Sequence, residues 1–155
     1  MVQGKWFPMG SDLTLPVSLR HSVFGRGRDA LDDQAWQVVV YQGDLPVGSA
    51  RLWWEDGAFR LGDVGVLAAY RGQGFGDLLV RLLLFKALTH GAAAVRLSAP
   101  AAVAPFFAKY GFQADGGGDP VAMSIRGQDV RLSHCGGNCE GCGHRTPECS
   151  PRALR

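Results

Sequence analysis

The feature that most constrains this chain is a glycine-rich loop, Arg71–Gly76 (RGQGFG), between a strand-like run and a long apolar segment. The first N–H groups of a helix have no acceptor within the helix, and the helix dipole places partial positive charge at the same end. A phosphate group satisfies both, and glycines let its oxygen atoms approach the main chain. The loop therefore predicts a helix start that binds phosphate or pyrophosphate, with Arg71 adding a full charge.

Two other kinds of phosphate loop are excluded by the residues that follow. A nucleoside triphosphate loop needs Gly-Lys-Ser or Gly-Lys-Thr, which the chain lacks. A dinucleotide loop needs an acidic residue about 20 positions further on, where this chain has Arg96. A glycine turn before a helix is also found as a plain tight connection, so the interpretation depends on the rest of the chain.

Hydrophobic periodicity predicts an alternation of strands and helices around this loop. The predicted helices are Thr14–Phe24, Asp77–His90 and Pro100–Tyr110, and the predicted strands are Trp36–Tyr41, Val47–Trp54, Ala58–Leu67, Ala94–Ala99 and Val121–Ile125. Gly25–Gln34 is predicted to be a loop, and Asp56-Gly57 is a strong hairpin signal. The order predicts an α+β fold, with a mixed, mostly antiparallel central sheet flanked by helices.

Composition fits one ordinary domain with a small appendage. The chain has 155 residues, of which 46% are hydrophobic, which is enough to bury a core. We predict an enzyme domain over 1–130 and a cysteine-rich tail over 131–155. The net charge of +2 predicts no nucleic-acid partner, and no apolar run is long enough for a membrane span. Since no secretion signal is visible, we expect a cytoplasmic protein.

Two segments together carry a resemblance to a known family. Val64–Gly76 resembles the acetyl-CoA motif of the GCN5-related N-acetyltransferases (GNAT), and Pro105–Phe112 (PFFAKYGF) is similar to their second signature, at the usual separation. The resemblance spans roughly residues 14–126. It implies that main-chain groups of Val64, Gly65 and Val66 contact the pantetheine arm of acetyl-CoA. It further implies a pyrophosphate cradle made of Arg71, Gly72, Gln73, Gly74, Phe75 and Gly76.

The resemblance implies direct transfer of an acetyl group to a primary amine of a small molecule, peptide or protein. Trp53, Trp54, Phe24 and the loop Gly25–Gln34 are candidates for the acceptor side, although core packing explains the tryptophans equally well. A homodimer is a further expectation. The alternative function is a coenzyme A-binding sensor or regulatory module that responds through the cysteine tail.

The general base is the first point at which the sequence departs from the family. Members of the family often carry a carboxylate on the strand before the loop, and the equivalent position here is Gly62. Asp63 is the candidate base, although strand alternation points it to the other face unless the backbone bulges. Glu55 and Asp56 fit a solvated hairpin tip better than a catalytic site.

The general acid is the second departure. The tyrosine of the second family signature is replaced by Phe107, which has no proton to donate. Tyr110 lies three residues later and is the candidate acid, against the simpler interpretation that it packs at a helix end. A thiol of pKa ~8.5 also leaves tolerably as thiolate without help.

All four cysteines of the chain lie close together in the tail: Cys135, Cys139, Cys142 and Cys149. Their spacing, C-x₃-C-x₂-C-x₆-C, suits tetrahedral zinc or, less well, an iron–sulfur cluster. His134 and His144 are possible substitutes for one thiolate. Two disulfides and free thiols are the alternatives, and spacing alone does not separate these cases.

Overall fold

The structure is a computed structural model that describes residues 2–132. This part of the chain forms seven strands and three α-helices, together with three short 3₁₀ helices. The strands are β1 (Val2–Phe7), β2 (Ala35–Gln42), β3 (Leu45–Glu55), β4 (Ala58–Val66), β5 (Ala94–Ala99), β6 (Gln113–Ala114) and β7 (Val121–Arg126). The helices are α1 (Thr14–Phe24), α2 (Phe75–Thr89) and α3 (Ala104–Ala108). Within residues 2–132, no helix is long and apolar enough to cross a membrane.

The strands form one sheet in the order β1-β2-β3-β4-β5-β7-β6. Neighbouring strands run antiparallel except β4 and β5, which pair in parallel. A parallel pair needs a long crossover connection, and α2 lies within it. The predicted α+β class, with a mixed and mostly antiparallel sheet, is confirmed.

The hairpin signal Asp56-Gly57 acts as predicted. Asp56 and Gly57 connect β3 to β4 as a two-residue loop, with φ of 51° and 79°. Positive φ at both central positions is the geometry of a type I′ turn, whose twist matches that of paired strands. Glu55 and Asp56 therefore lie at an exposed hairpin tip, where Glu55 pairs with Arg60 at 3.3 Å.

Helix α2 supplies most of the core on one face of the sheet. Its side chains Leu79, Val80, Leu83 and Leu84 are completely buried, as is Leu52 of β3. Helix α1 packs on the opposite face, over β3 and β4. Strand β4 is therefore covered by a helix on each side, and its two faces have different surroundings.

Strands β1 and β6 were not predicted from the sequence, and helix α3 was predicted too long. Strand β1 was missed, because its residues are mostly exposed and show no alternation of burial. Helix α3 begins at Ala104 and ends at Ala108, and is shorter than the predicted Pro100–Tyr110. The ring of Pro105 would clash with the carbonyl group four residues earlier in a longer helix, so the chain instead makes a turn after Pro100.

The contact between β4 and α1 gives a first prediction. A Cβ atom at Gly65 would lie 2.8 Å from both Val23 Cγ1 and Phe24 Cε2. Gly65→Ala should therefore push α1 away from β4 and lower the free energy of unfolding by about 1–3 kcal/mol, measured by urea denaturation. Gly116→Ala is the control, because nothing lies within 4 Å of its Cβ position. Equal stability of the two variants would contradict this packing.

Candidate functional site

Strands β4 and β5 separate along their length and leave a wedge between them. They pair only at Phe59↔Val95 and Arg60↔Arg96, near the start of each strand. Both strands continue beyond this point, β4 to Val66 and β5 to Ala99. The inner edge of β4 in the wedge therefore presents main-chain groups that the β4–β5 pairing does not use.

A β-bulge in β4 accompanies this separation. Ser49 pairs with Gly65 and Arg51 pairs with Gly62, so two residues of β4, Asp63 and Val64, oppose one residue of β3. Asp63 has φ of 52°, which is unusual for a residue with a side chain. Such a bulge changes the direction of the side chains that follow it. From the sequence, Asp63 was expected to share a face of β4 with Gly62 only if the backbone bulged, and the backbone does bulge at this point.

The glycine loop lies at the mouth of the wedge. Gly72 and Gly74 have φ of 78° and 89°, a conformation that strains any residue with a Cβ atom. Helix α2 begins directly after Gly74 with no side-chain cap, and its first intrahelical bond runs from Leu78 N to Gly74 O, at 3.0 Å. The Phe75 side chain packs inward and is 4% exposed. The first-turn N–H groups of α2 are therefore available to an anion.

A cavity of about 380 Å³ runs from the loop to the end of β4 that faces the wedge. Its lining consists of Val64, Val66, Tyr70, Arg71, Gly72, Gly74, Phe75, Gly76, Asp77, Phe106 and Lys109. The side chain of Arg71 is held in place by a bond from Nε to the Val66 carbonyl oxygen, at 3.0 Å. Gly65 and Gln73 are not in the lining. Gly65 faces α1 instead, and the Gln73 side chain bonds to Ala69 O at 3.5 Å.

Sequence reasoning missed four lining residues, Tyr70, Asp77, Phe106 and Lys109. Lys109 Nζ lies 4.7 Å from the centre of the Phe106 ring, which places a second cation beside the cavity. Both residues belong to the PFFAKYGF segment quoted above, so the segment itself contained the signal. A wider depression of about 820 Å³ lies at the far end of β5 around Arg96 and Arg126, but it includes no residue of the glycine loop.

Tyr110 is completely buried and does not line the cavity. Its hydroxyl group donates to Asp77 Oδ1, and Asp77 Oδ2 accepts from Arg81 Nε at 2.8 Å. Burial, followed by the bond to Asp77, raises the pKa of Tyr110 far above its usual value. Arg81 also donates to the carbonyl oxygen of Leu132. Tyr110 thus joins the start of α2 to the end of the described chain, and its role as an acid stays a prediction.

A buried ion-pair network lies on the other face of β4, under α1. Arg20 donates to both carboxylate oxygens of Asp32, at 2.6 and 3.2 Å. Arg51 makes a two-pronged contact with Asp29, at 2.7 and 2.8 Å, and its Nε lies 2.6 Å from Asp63 Oδ2. Arg20, Asp32 and Arg51 are each at most 3% exposed, so the charges are held in a poorly solvated place.

The pKa values of Arg51 and Asp29 show how strongly the network is coupled. Burial by itself lowers the pKa of Arg51, but hydrogen bonds to Asp29 and the charges of Asp63, Asp29 and Asp32 outweigh it and raise that pKa. The bond from Arg51 lowers the pKa of Asp29 to about 2, against the opposing effect of its partial burial. Asp29 also caps the turn Ala30–Asp33, which lies in the predicted loop.

Asp63, the candidate base, is the member of the network nearest to the wedge. Its side chain is 12% exposed and pairs with both Arg51 and Arg26. The Arg26 guanidinium lies 5.3 Å from the centre of the Phe24 ring. Asp63 would have to exchange Arg26 for a substrate group before it could accept a proton.

Gly62 stands where members of the family often carry a carboxylate, and the Trp53 ring fills the space beside it. A Cβ atom on Gly62 would lie 2.9 Å from Trp53 Cη2, so the ring occupies that space. Trp53 is half-buried, and its indole Nε1 has no hydrogen-bond partner among the described residues. Trp54 is 56% exposed and packs edge-on against Phe59. The two predicted acceptor-side tryptophans therefore have different surroundings.

The predicted metal ligands Cys135, Cys139, Cys142 and Cys149 lie outside the described residues, as does the tail from residue 133 onward. Within residues 2–132, no group of three or more histidine, cysteine, aspartate or glutamate side chains is placed to hold a metal ion.

A mixed sheet that opens into a wedge beside a glycine-rich helix start defines the class of acyl-CoA N-acyltransferases. Residues 33–114, just over half of the chain, match the family model for the acetyltransferase (GNAT) domain. The chain belongs to the GNAT family of acetyltransferases.

Three known proteins illustrate the relationship. YjcF, an uncharacterized N-acetyltransferase of Bacillus subtilis, is 33% identical over 85 residues, 55% of this chain, and the match spans 61% of YjcF. An acyl-CoA N-acyltransferase from Pseudomonas aeruginosa is 25% identical with a TM-score of 0.71, covering 80% of this chain and 99% of that one. A GNAT acetyltransferase from Elizabethkingia anophelis, solved with acetyl-CoA bound, has a TM-score of 0.66 at 12% identity, covering 81% and 97%. At that identity the likeness shows the fold alone.

The ion-pair network predicts a loss of stability in acid. The pKa of Asp29 is about 2 in the folded protein against 3.8 in a free side chain, so its ion pair contributes fully above pH 3.8. The contribution disappears as pH falls from 3.8 toward about 2, because the unfolded chain then binds the proton more readily. Asp29→Asn should flatten the stability profile in this window, measured by urea denaturation at each pH. Asp44→Asn, in the exposed β2–β3 turn, is the control, and an identical profile for both variants would contradict the coupling.

Proposed function

We propose that this protein transfers an acetyl group from acetyl-CoA to a primary amine of a small molecule, peptide or protein. The observation that carries the proposal is the start of α2, which has no side-chain cap. Gly72, Gly74 and Gly76 lie around this helix start, beside the wedge between the parallel strands β4 and β5. The family assignment supports the same activity, and one neighbour of this fold was solved with acetyl-CoA.

The residues at the loop fit a diphosphate. Nothing lies within 4 Å of the Cβ positions of Gly72 and Gly74, so oxygen atoms have room to reach the main chain. Among residues 2–132, Arg71 donates only from its Nε, to Val66 O, which leaves the two terminal nitrogens of the guanidinium for phosphate oxygens. Lys109 adds positive charge across the cavity. The wedge side of Val64–Val66 suits an extended pantetheine arm, which would bind like an added strand.

When bound, acetyl-CoA supplies a thioester carbonyl for attack by the amine and a thiol leaving group of pKa ~8.5. The chain's own task is to bring an amine to this carbonyl in its neutral form. Asp63 is our proposed base, because it directly precedes Val64 of the cavity lining and its carboxylate lies beside Arg26 on the α1 side of β4. Arg51 holds the carboxylate in position, and Arg26 must move for an ammonium group to reach it.

Proton donation to the leaving thiolate is the weaker half of the mechanism. The Tyr110 hydroxyl already donates to Asp77, and its raised pKa makes transfer to a thiolate unfavourable. We therefore propose that the thiolate leaves without full protonation, and that Tyr110 mainly fixes the start of α2 through Asp77. General acid catalysis is typically worth ~10²–10⁴ in rate, so the reaction would be slower but not prevented.

Gly76→Val tests the diphosphate site without straining the backbone. Gly76 lines the cavity within the first turn of α2, and its Cβ would meet only Phe106, at 3.8 Å. Valine is no worse in a helix than glycine, so the melting temperature should be kept while the Kd for acetyl-CoA rises at least about 10-fold, measured by calorimetry. Gly117→Val is the control, because it lies in a distant loop with open space around it. Unchanged affinity would sink the proposed site.

Turnover separates the enzyme from the sensor. Release of coenzyme A thiol should be measured across a panel of primary amines with wild-type protein. Steady turnover with any of them supports the transferase, and tight acetyl-CoA binding without turnover across the panel supports the coenzyme A-binding sensor.

For the tail we propose zinc bound by Cys135, Cys139, Cys142 and Cys149, on the spacing of these cysteines alone. Freshly purified protein should contain about one zinc per chain by elemental analysis, and Cys139→Ser should lower this content while acetyl-CoA binding is kept. A brown colour with stoichiometric iron would indicate the iron–sulfur alternative, and neither metal would end the hypothesis.

A further inference from the structure

The buried ion-pair network has an imbalance of charge that Arg26 corrects. Two guanidinium groups, those of Arg20 and Arg51, face the three carboxylates of Asp29, Asp32 and Asp63. This leaves one net negative charge. Asp29 is 42% exposed, but Asp32 and Asp63 are 0% and 12% exposed, and an uncompensated charge in such a place is costly. Arg26 pairs with Asp63 and brings the group to neutrality.

Arg26 differs from the other two arginines in how it is held. Its side chain is 55% exposed, whereas those of Arg20 and Arg51 are 2% and 4% exposed. It lies in a loop after Gly25, which has φ of 71°, and within residues 2–132 its side chain contacts the Asp63 carboxylate and the face of the Phe24 ring. On release, the Arg26 side chain returns to solvent, whereas the Asp63 carboxylate, which is 12% exposed, still needs a cation beside it. Another cation can therefore take its place at little cost, provided that it restores neutrality.

The place that Arg26 fills is next to the wedge. Asp63 directly precedes Val64, which lines the cavity. The Phe24 ring packs against Gly65, the middle residue of the Val64–Val66 segment that is proposed to bind the pantetheine arm. A carboxylate beside an aromatic face is a combination that binds organic cations. Here that combination holds a cation from the chain itself, across β4 from the cavity.

We propose that the Arg26 guanidinium occupies the binding place of the acceptor's ammonium group, and that an alkylammonium acceptor binds by displacing Arg26 from Asp63 and Phe24. The inference rests on the proposed function, because it assigns the acceptor class of the same site. Arg26 thereby determines specificity, because an uncharged acceptor cannot replace the positive charge that Asp63 loses when Arg26 leaves.

The test uses n-butylammonium as the probe and n-butanol as its uncharged counterpart. Arg26→Ala leaves the negative charge uncompensated, so it should bind n-butylammonium at least about 10-fold more tightly than wild-type protein does, by calorimetry. Neither protein should prefer n-butanol in this way. Arg28→Ala is a closely matched control, because Arg28 lies in the same loop, is 57% exposed and pairs with Asp33 on the surface. It should bind like wild type.

Two further variants keep the inference falsifiable. Arg26→Gln removes the charge but keeps the length of the side chain, and it should show the same gain if Arg26→Ala folds poorly. Adding Asp63→Asn to Arg26→Ala should abolish the gain. Equal affinity for n-butylammonium in wild-type, Arg26→Gln and Arg28→Ala proteins would overturn the inference, as would a gain that survives Asp63→Asn.

The outcome is separable from that of the proposed function. A gain in ammonium binding without turnover of any amine would support the cation site while the transferase proposal failed. Acetyl-CoA binding that depends on Gly76, together with no ammonium gain, would overturn the cation site alone. For any amine that turns over, Arg26→Gln should lower KM for the amine and leave KM for acetyl-CoA unchanged.

Discussion

The ion pair between Arg51 and Asp63 connects the two halves of the structure. Asp63 lies in a β-bulge with a backbone conformation that a residue with a side chain seldom adopts. Arg51 pairs with the Asp63 carboxylate and is itself held by Asp29 and Asp32. The bulge lies where β4 leaves β5, so the contact that stabilises it also supports the wedge between the two strands.

Strand β4 consequently serves two purposes on its two sides. Towards the wedge it offers main-chain groups and the side chains of Val64 and Val66, which suits a long ligand recognised by shape and hydrogen bonds. Towards α1 it offers the carboxylate of Asp63 and a gap at Gly65 that Phe24 fills. The two sides meet across the thickness of one strand, which is the proximity that a direct transfer between two bound ligands requires.

Local features of the fold were predictable, and features that depend on distant contacts were not. The turn at Asp56-Gly57 and the glycine loop follow from the conformations that short segments prefer, so the sequence alone indicated both. The orientation of Asp63 depends on a register shift against β3 and on arginines 12 and 37 residues away, which no local pattern reveals. The bond between Tyr110 and Asp77 likewise joins residues 33 positions apart. Strand β1 went unnoticed because an exposed edge strand has no alternation to detect.

The contacts around Tyr110 connect the start of α2, beside the glycine loop, to the last of the described residues. Asp77, in the first turn of α2, holds both Tyr110 and Arg81, and Arg81 reaches the carbonyl oxygen of Leu132. Arg131 N is bonded in turn to Tyr110 O, at 2.9 Å. A pull on the chain just beyond Leu132 would therefore be transmitted to the turn proposed to grip the diphosphate.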